Sequence, residues 1–228
     1  GQGQVTYPDG SIYIGTFKAD LADGTGKITY ADGSTYDGEW KAGVINGRGV
    51  ATYANGLVYE GDFVNAKNDG QGKMTYADGY TYEGQWADGQ RNGTGTATYA
   101  DGTVYVGEFK DGQRHGRGKI TIPDRPETPE NEAFTYEGQW DKGEISGLGV
   151  ATYANGDVYS GMFQGGRRQG EGTMTYAPTA DNPAPAPESG KWQDGALVSQ
   201  NATPDAGETG AAATDPSPAD PAPADPAN

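Results

Sequence analysis

The sequence predicts an all-β fold, an elongated single-layer twisted antiparallel β-meander built from stacked hairpins. Three observations predict it. A tyrosine recurs every 23 residues, at Tyr13, Tyr36, Tyr59, Tyr82 and Tyr105, and the series resumes at Tyr136 and Tyr159. Side-chain character alternates with period two around each of them, which is the signature of strands. Hydrophobic residues make up only 33% of 228 positions while glycine supplies 39, too little apolar volume for one compact core of that length. A fixed period of this size marks an array in which neighbours complete one another's packing.

Each unit divides into four parts. Its first run is exemplified by Tyr82, Gly84 and Trp86 alternating with Glu83 and Gln85. A connection of turn formers follows, from Ala87 to Gly93. The second run alternates Gly95, Ala97 and Tyr99 with Thr94, Thr96 and Thr98, and Ala100-Asp101-Gly102 closes the unit, glycine providing positive φ for a tight reversal. One unit is one β-hairpin, and since a lone hairpin is marginal in water, copies need neighbours. At about 4.8 Å per strand, seven units predict a ribbon about 70 Å long.

A longer period is nested in this one. The large ring runs Phe17, Trp40, Phe63, Trp86, Phe109, Trp140, Phe163 and Trp192, alternating without exception. A position in the second run follows it as Ile28, Ala51, Met74, Ala97, Ile120, Ala151 and Met174, so a larger ring goes with a smaller partner. Conserved total volume implies that the two positions touch in one packed face. A third column, Ile12, Thr35, Val58, Thr81, Val104, Thr135 and Val158, alternates as well. The repeating element is then a 46-residue double hairpin, a product of duplication or of a packing rule. Glycines such as Gly38, Gly49, Gly84 and Gly95 let tyrosine rings lie flat on neighbouring backbone.

The pattern Tyr-x-Gly-x-(Trp/Phe)-x-x-Gly, followed by Gly-x-Gly-x-x-x-Tyr-x-Asp-Gly, resembles the MORN repeat, the membrane occupation and recognition nexus. The stretch Tyr136-Glu137-Gly138-Gln139-Trp140 with Gly147 to Gly156 carries it most clearly. The resemblance covers residues 1 to about 176 and trails to Trp192. It implies an architecture used by scaffolds, dimerisation rods and membrane-proximal modules. The repeat core expected from it comprises Tyr36, Gly38, Trp40, Tyr59, Gly61, Phe63, Tyr82, Gly84, Trp86, Tyr105, Gly107, Phe109, Tyr136, Gly138, Trp140, Tyr159, Gly161 and Phe163. In the fifth unit Ile122 replaces the second tyrosine, and an eight-residue insertion stands in the segment Pro123 to Ala133. Its Arg125, Glu127, Glu130 and Glu132 form a candidate interaction loop, since contacts are commonly made by loops on a rigid scaffold.

Little in the chain reads as chemistry. The Asp-Gly and Asn-Gly steps at Asp9, Asp32, Asn55, Asp78, Asp101 and Asn155 suggest a cation ladder or hairpin turns, and the Asp-to-Asn exchanges favour turns. Gly93-Thr94-Gly95 lacks the following helix that a phosphate cradle needs. His115 occupies a position held by Asn46, Asp69 and Asn92 elsewhere, a polar turn residue. The carboxylates Asp37, Glu39, Glu60, Asp62, Glu83, Glu108 and Glu137 are expected on an outer face, laced with Lys27, Arg48, Lys73 and Lys119. We expect no catalytic, cofactor or metal residues and no enzyme.

The net charge of −16 argues against nucleic acid as a partner and disfavours anionic lipid. The array is expected over residues 1–192, with Ser189 to Trp192 as the unpartnered first strand of an eighth unit. Residues 193–228, rich in Pro, Ala and Asp, are expected to be a disordered acidic tail. The functional expectation is a noncatalytic scaffold that presents a rigid β surface to protein partners, near an envelope or membrane. The alternative is a binding module for glycans or lipid headgroups that uses the aromatic columns. Open ribbon ends make a homodimer available. Zero cysteines leave the compartment open; an extracytoplasmic location, periplasmic or secreted, is the first expectation and a cytoplasmic one the alternative. Gly1 to Gly10 reads as the second half of a unit, which anticipates upstream sequence, either a cleaved signal peptide or further chain.

Overall fold

The computed structural model describes residues 1–124 and 133–201. These hold strands and turns, with no helix among the described residues. They fall into two compact units, residues 1–100 and residues 101–201. The first contains β1 (Gln2–Thr6), β2 (Ile12–Lys18), β3 (Leu21–Thr29), β4 (Thr35–Lys41), β5 (Val44–Thr52), β6 (Val58–Val64), β7 (Lys67–Thr75), β8 (Thr81–Ala87) and β9 (Gln90–Thr98). The second contains β10 (Val104–Lys110), β11 (Gln113–Ile122), β12 (Phe134–Asp141), β13 (Glu144–Tyr153), β14 (Val158–Gln164), β15 (Arg167–Thr175), β16 (Glu188–Gln193) and β17 (Ala196–Gln200). Within each unit every strand pairs antiparallel with the next in sequence. The first unit thus carries hairpins one to four (β2–β3, β4–β5, β6–β7, β8–β9) and the second hairpins five to eight (β10–β11, β12–β13, β14–β15, β16–β17).

The connection inside a hairpin is shorter than the turn-rich sequence suggests. Only Asp88 and Gly89 form it in hairpin four, with φ of 50° and 84°, and β9 begins at Gln90. Two positive φ values are what a two-residue turn needs to match the right-handed twist of its strands. The remaining polar residues belong to a bulge. In register, Gly84 faces Gly95 and Trp86 faces Arg91, so Gln85 alone opposes Asn92, Gly93 and Thr94. The Gln85 side chain turns back to the bulge and accepts the Thr94 N–H at 2.7 Å. Glu39, Asp62, Glu108 and Gln139 accept from Arg48, Gln71, Arg117 and Leu148 in the same way, at 2.8–3.0 Å. Carboxylate and amide interchange at this column because the job is to accept one backbone hydrogen bond.

How a single layer buries tyrosine completely is answered at the glycines. A Cβ on Gly49 or Gly95 would fall within the ring of Tyr36 or Tyr82, so the ring occupies the volume a side chain would take. Each tyrosine then donates its hydroxyl to the carbonyl three residues on, as Tyr36 does to Glu39 (3.0 Å), Tyr82 to Gln85 (2.9 Å) and Tyr136 to Gln139 (3.0 Å). Arg91 shows that the strands also bend. It pairs with Trp86, yet its guanidinium donates to the Tyr80 hydroxyl. Six residues of straight strand would hold Trp86 and Tyr80 about 20 Å apart, beyond the reach of the two side chains. The hairpin is therefore creased at its glycine pair, and the crease is the core.

The eighth hairpin is complete. Asp194 and Gly195 repeat the turn with φ of 50° and 86°, and β17 pairs with β16, setting Leu197 opposite Trp192. The expectation that Trp192 ends an unpartnered strand is corrected, because Ala196-Leu197-Val198 supplies enough apolar character to pair after that turn. Residues 193–201 are accordingly structured. The rest of the expected tail, from 202 on, lies outside the described residues.

The candidate interaction surface

Tyr36, Tyr59, Tyr82, Tyr105, Tyr136 and Tyr159 are buried to 0–1% exposure, and Trp40, Phe63, Trp86, Phe109, Trp140 and Phe163 lie beside them at 2–8%. The rings meet edge to face. Within the first unit Trp86 stands 5.3 Å from Tyr59 and 5.2 Å from Tyr82, and within the second Trp140 stands 5.1 Å from Tyr105 and 5.5 Å from Tyr136. Each of these rings therefore touches the tyrosine of its own hairpin and that of the hairpin before. This is the favoured aromatic geometry. Gly38, Gly61, Gly84, Gly107, Gly138 and Gly161 lie under the hydroxyl ends of those tyrosines. Burial raises the Tyr36 and Tyr82 hydroxyls to about 12 and pushes Tyr59 up as well. Chemically these aromatic columns are spent, with their rings packed and their tyrosine hydroxyls bonded to backbone.

The ring and the residue whose size follows it are not cross-strand neighbours. Trp86 faces Arg91, while Ala97 faces Tyr82, and both lie in the same closed face.

The sequence reading missed a further buried column. The residue opposite the large ring runs Ala22, Ile45, Asn68 and Arg91 in the first unit, and Arg114, Ile145 and Arg168 in the second, each exposed by 8% or less. Three of its members are arginines lodged among rings. The Arg114 guanidinium lies 4.5 Å from the Trp140 ring centre, and that of Arg168 lies 4.8 Å from Trp192. Arg114 donates to the Gly143 carbonyl at 2.9 Å while its own carbonyl accepts the Gly143 N–H at 2.9 Å. Arg168 and Gly195 repeat this two-way link at 2.5 and 3.0 Å. Alignment of the units exposes the column as a mixed Ala/Ile/Asn/Arg position, but burial of its arginines depends on the crease.

The outer face carries the remaining chemistry. One row of the first unit reads Lys27, Asp37, Val50, Glu60, Lys73 and Glu83 across successive strands. Lys73 stands 4.0 Å from Glu83, Arg48 3.5 Å from Asp62 and, in the second unit, Lys119 3.9 Å from Glu137. Leu148 replaces the arginine of that kind of pair in the second unit and faces Met162, with Val150 beside it; they are 60%, 39% and 42% exposed. His115 is in β11 rather than in a turn, its Nδ1 3.4 Å from Asp141 Oδ1, because the bulge belongs to the strand. The Asp-Gly and Asn-Gly steps are Asx turns. Asp32 accepts the Ser34 N–H at 2.8 Å, and Asn55 accepts that of Leu57 at 3.1 Å. Arg125, Glu127, Glu130 and Glu132 lie outside the described residues.

Seven stretches of the chain, residues 13–35, 36–58, 59–79, 82–104, 105–125, 136–158 and 159–178, match the MORN repeat family. The chain belongs to the MORN-repeat family. MORN repeats characterise repeat-based modules for protein interaction or membrane association, and the family is generally non-catalytic. The chain is also similar to the ALS2 C-terminal-like proteins of Bos taurus, at 37% identity, and Homo sapiens, at 34%, each over 58 residues. Those matches span 25% of this MORN chain and 6% of the relatives' length. Among solved structures, the SAS-4 (dCPAP) TCP domain of Drosophila melanogaster aligns over 84% of this chain and 90% of its own, at 14% identity and a TM-score of 0.39. A score of that size has no bearing on function.

Proposed function

We propose that this MORN protein is a noncatalytic scaffold whose outer β face engages a protein partner with a basic surface. The closed crease carries the reading: with the aromatic columns packed and their polar atoms bonded, the side chains left to meet a partner are those of the outer face. There Asp37, Glu60 and Glu83 recur in one row, on a chain of net charge −16. Complementary charge would speed encounter with a basic surface and fix the register of docking. The insertion with Arg125, Glu127, Glu130 and Glu132 is a second point of attachment in this proposal, and the acidic tail a tether for the same partner. Envelope or membrane proximity, in an extracytoplasmic compartment, is part of the same proposal.

The test uses the full chain as bait, with a variant carrying Asp37→Lys, Glu60→Lys and Glu83→Lys. A protein retained stoichiometrically at low salt, released at high salt and lost by the variant supports the reading. Equal retention by the variant overturns it. Binding to glycans or lipid vesicles in place of protein also overturns it and favours the aromatic-column alternative. A homodimer through the ribbon ends belongs to the same proposal: among the described residues β17 pairs with β16 alone, and two copies would join along its other edge. Sedimentation that varies with concentration would reveal such a dimer, and Pro substituted at Val198 would abolish one formed through β17.

A further inference from the structure

The links between successive hairpins are unequal, and the inequality alternates. Where the incoming ring is tryptophan, its Nε1–H donates to a glycine carbonyl of the hairpin before: Trp40 to Gly26 (3.0 Å), Trp86 to Gly72 (3.0 Å), Trp140 to Gly118 (3.1 Å) and Trp192 to Gly172 (3.1 Å). Phe63 and Phe163 keep the ring contact, 5.0 Å to Tyr36 and 5.1 Å to Tyr136, but have no N–H to give. A second set of bonds falls at three of the four tryptophan joints. Side chains at the bulge reach the next turn, with Ala42 N–H donating to Asp23 (3.1 Å), Asp88 N–H to Asp69 (3.2 Å) and Asp194 N–H to Gln169 (3.0 Å). The equivalent residues before Phe63 and Phe163 are Asn46 and Ser146, which make no such bond. The arginine links to Gly143 and Gly195 also fall at tryptophan joints.

Every joint within a unit keeps one common bond, from a turn N–H to the carbonyl of the buried column. It runs from Gly43 to Ala22 (2.8 Å), Ala66 to Ile45 (2.9 Å), Gly89 to Asn68 (2.9 Å), Gly143 to Arg114 (2.9 Å), Gly166 to Ile145 (3.0 Å) and Gly195 to Arg168 (3.0 Å). This shared bond reports on each joint. We propose that the cooperative element of the array is the double hairpin, one phenylalanine hairpin stapled to the tryptophan hairpin after it. The joints entered by Phe63 and Phe163 are its hinges, the places where the sheet opens or flexes first. The 46-residue period is thereby a packing rule. Local opening in repeat proteins follows interface strength, and here the interface terms differ by two or more hydrogen bonds.

Native-state hydrogen exchange on the full chain tests this through the six turn amides. Fraying from the chain end alone would make protection rise steadily from Gly43 to Ala66 to Gly89. The proposal requires a minimum at Ala66, with Gly43 and Gly89 each about ten-fold or more slower to exchange, and a second minimum at Gly166 between Gly143 and Gly195. Monotonic or uniform protection overturns it. Trp86→Phe should move Gly89 toward the level of Ala66 and leave Gly43 unchanged. Asp69→Ala weakens the same joint from outside the crease and keeps the test intact if the tryptophan variant does not fold. No effect of either substitution on Gly89 also overturns the proposal.

Discussion

The first unit runs on an unbroken 23-residue period, whereas the second is interrupted twice, and both hold the same register. Eight residues lead from Met74 to its neighbour Tyr82 in the first unit. In the second, sixteen lead from Ile120 to Tyr136 and fourteen from Met174 to Glu188. Glycine nonetheless faces glycine across all three pairs of strands, Gly72 with Gly84, Gly118 with Gly138 and Gly172 with Gly190. Both interruptions lie at the Asp-Gly end of the hairpins, and neither touches the two-residue turn at the other end. Register is set by the crease and the turn beside the bulge, which leaves the opposite turn open to insertion. Arg114 and Arg168 occupy the buried column in the hairpins just before the two interruptions, tying the following turns at Gly143 and Gly195.

The largest expected effect removes the basis of the comparison, since the crease is common to both units. Burial raises Tyr36 and Tyr82 from 10.0 to about 12, so the folded chain retains protons that the unfolded chain releases. Their contribution is complete below pH 10 and is lost as pH climbs from 10 toward 12. Tyrosinate absorbance and far-ultraviolet circular dichroism should change together in that interval. Ionisation of the buried tyrosines well below the loss of strand signal would show the crease to be permeable to water.

A sharper contrast comes from the arginines. Arg114→Met keeps the stem of the side chain but removes the bond to Gly143 and the charge over Trp140. A loss of about 2 kcal/mol is expected from one charge-assisted hydrogen bond and a desolvated cation–π contact. Hydrogen exchange should show the Gly143 amide losing protection while Gly43, at the matching joint of the first unit, is unchanged. Equal destabilisation of hairpins two and six would break the link drawn between arginine and interruption.

The sequence carried most of the crease and little of what crosses it. Periodicity and glycine spacing reported the strands, the tyrosine column and the alternation of Phe with Trp, because these obey local rules of pleat and volume. Arg91 was illegible for a physical reason: its partner Tyr80 is eleven residues away and meets it only after the hairpin folds across its glycines. The bulge was hidden because the residues that build it, Asn92 and Gly93, are also turn formers. His115 was misplaced by the same ambiguity, and β17 because its second strand has neither the glycine pair nor the closing tyrosine.

Asn68 marks the weakest point of the buried column in the first unit. It is 1% exposed, and neither its Oδ1 nor its Nδ2 has a hydrogen-bonding partner. Ile45 and Ile145 fill the same position in other hairpins. Asn68→Ile should therefore stabilise the first unit by about 1–2 kcal/mol, the cost of an unpaired buried amide. A higher midpoint in urea with unchanged slope would confirm it, and a lower midpoint would mean that the crease at hairpin three has no room for a branched side chain.

The smallest effect gives the finest test of what sets register. Deleting residues 125–132 together with Ala133→Gly joins Ile122-Pro123-Asp124 to Gly, Phe134, Thr135 and Tyr136, the arrangement seen at Tyr7-Pro8-Asp9-Gly10-Ser11-Ile12-Tyr13. Loop closure depends weakly on length, about 0.6 kcal/mol per doubling, so stability should rise by less than about 1 kcal/mol. Inserting eight residues between Asp88 and Gly89 instead should cost several times more, because that turn supplies the Gly89 N–H to Asn68 and the Asp88 N–H to Asp69. Thermal midpoints of the two variants separate the ideas cleanly: a large gain from the deletion, or indifference to the insertion, would place control of register at the Asp-Gly end after all.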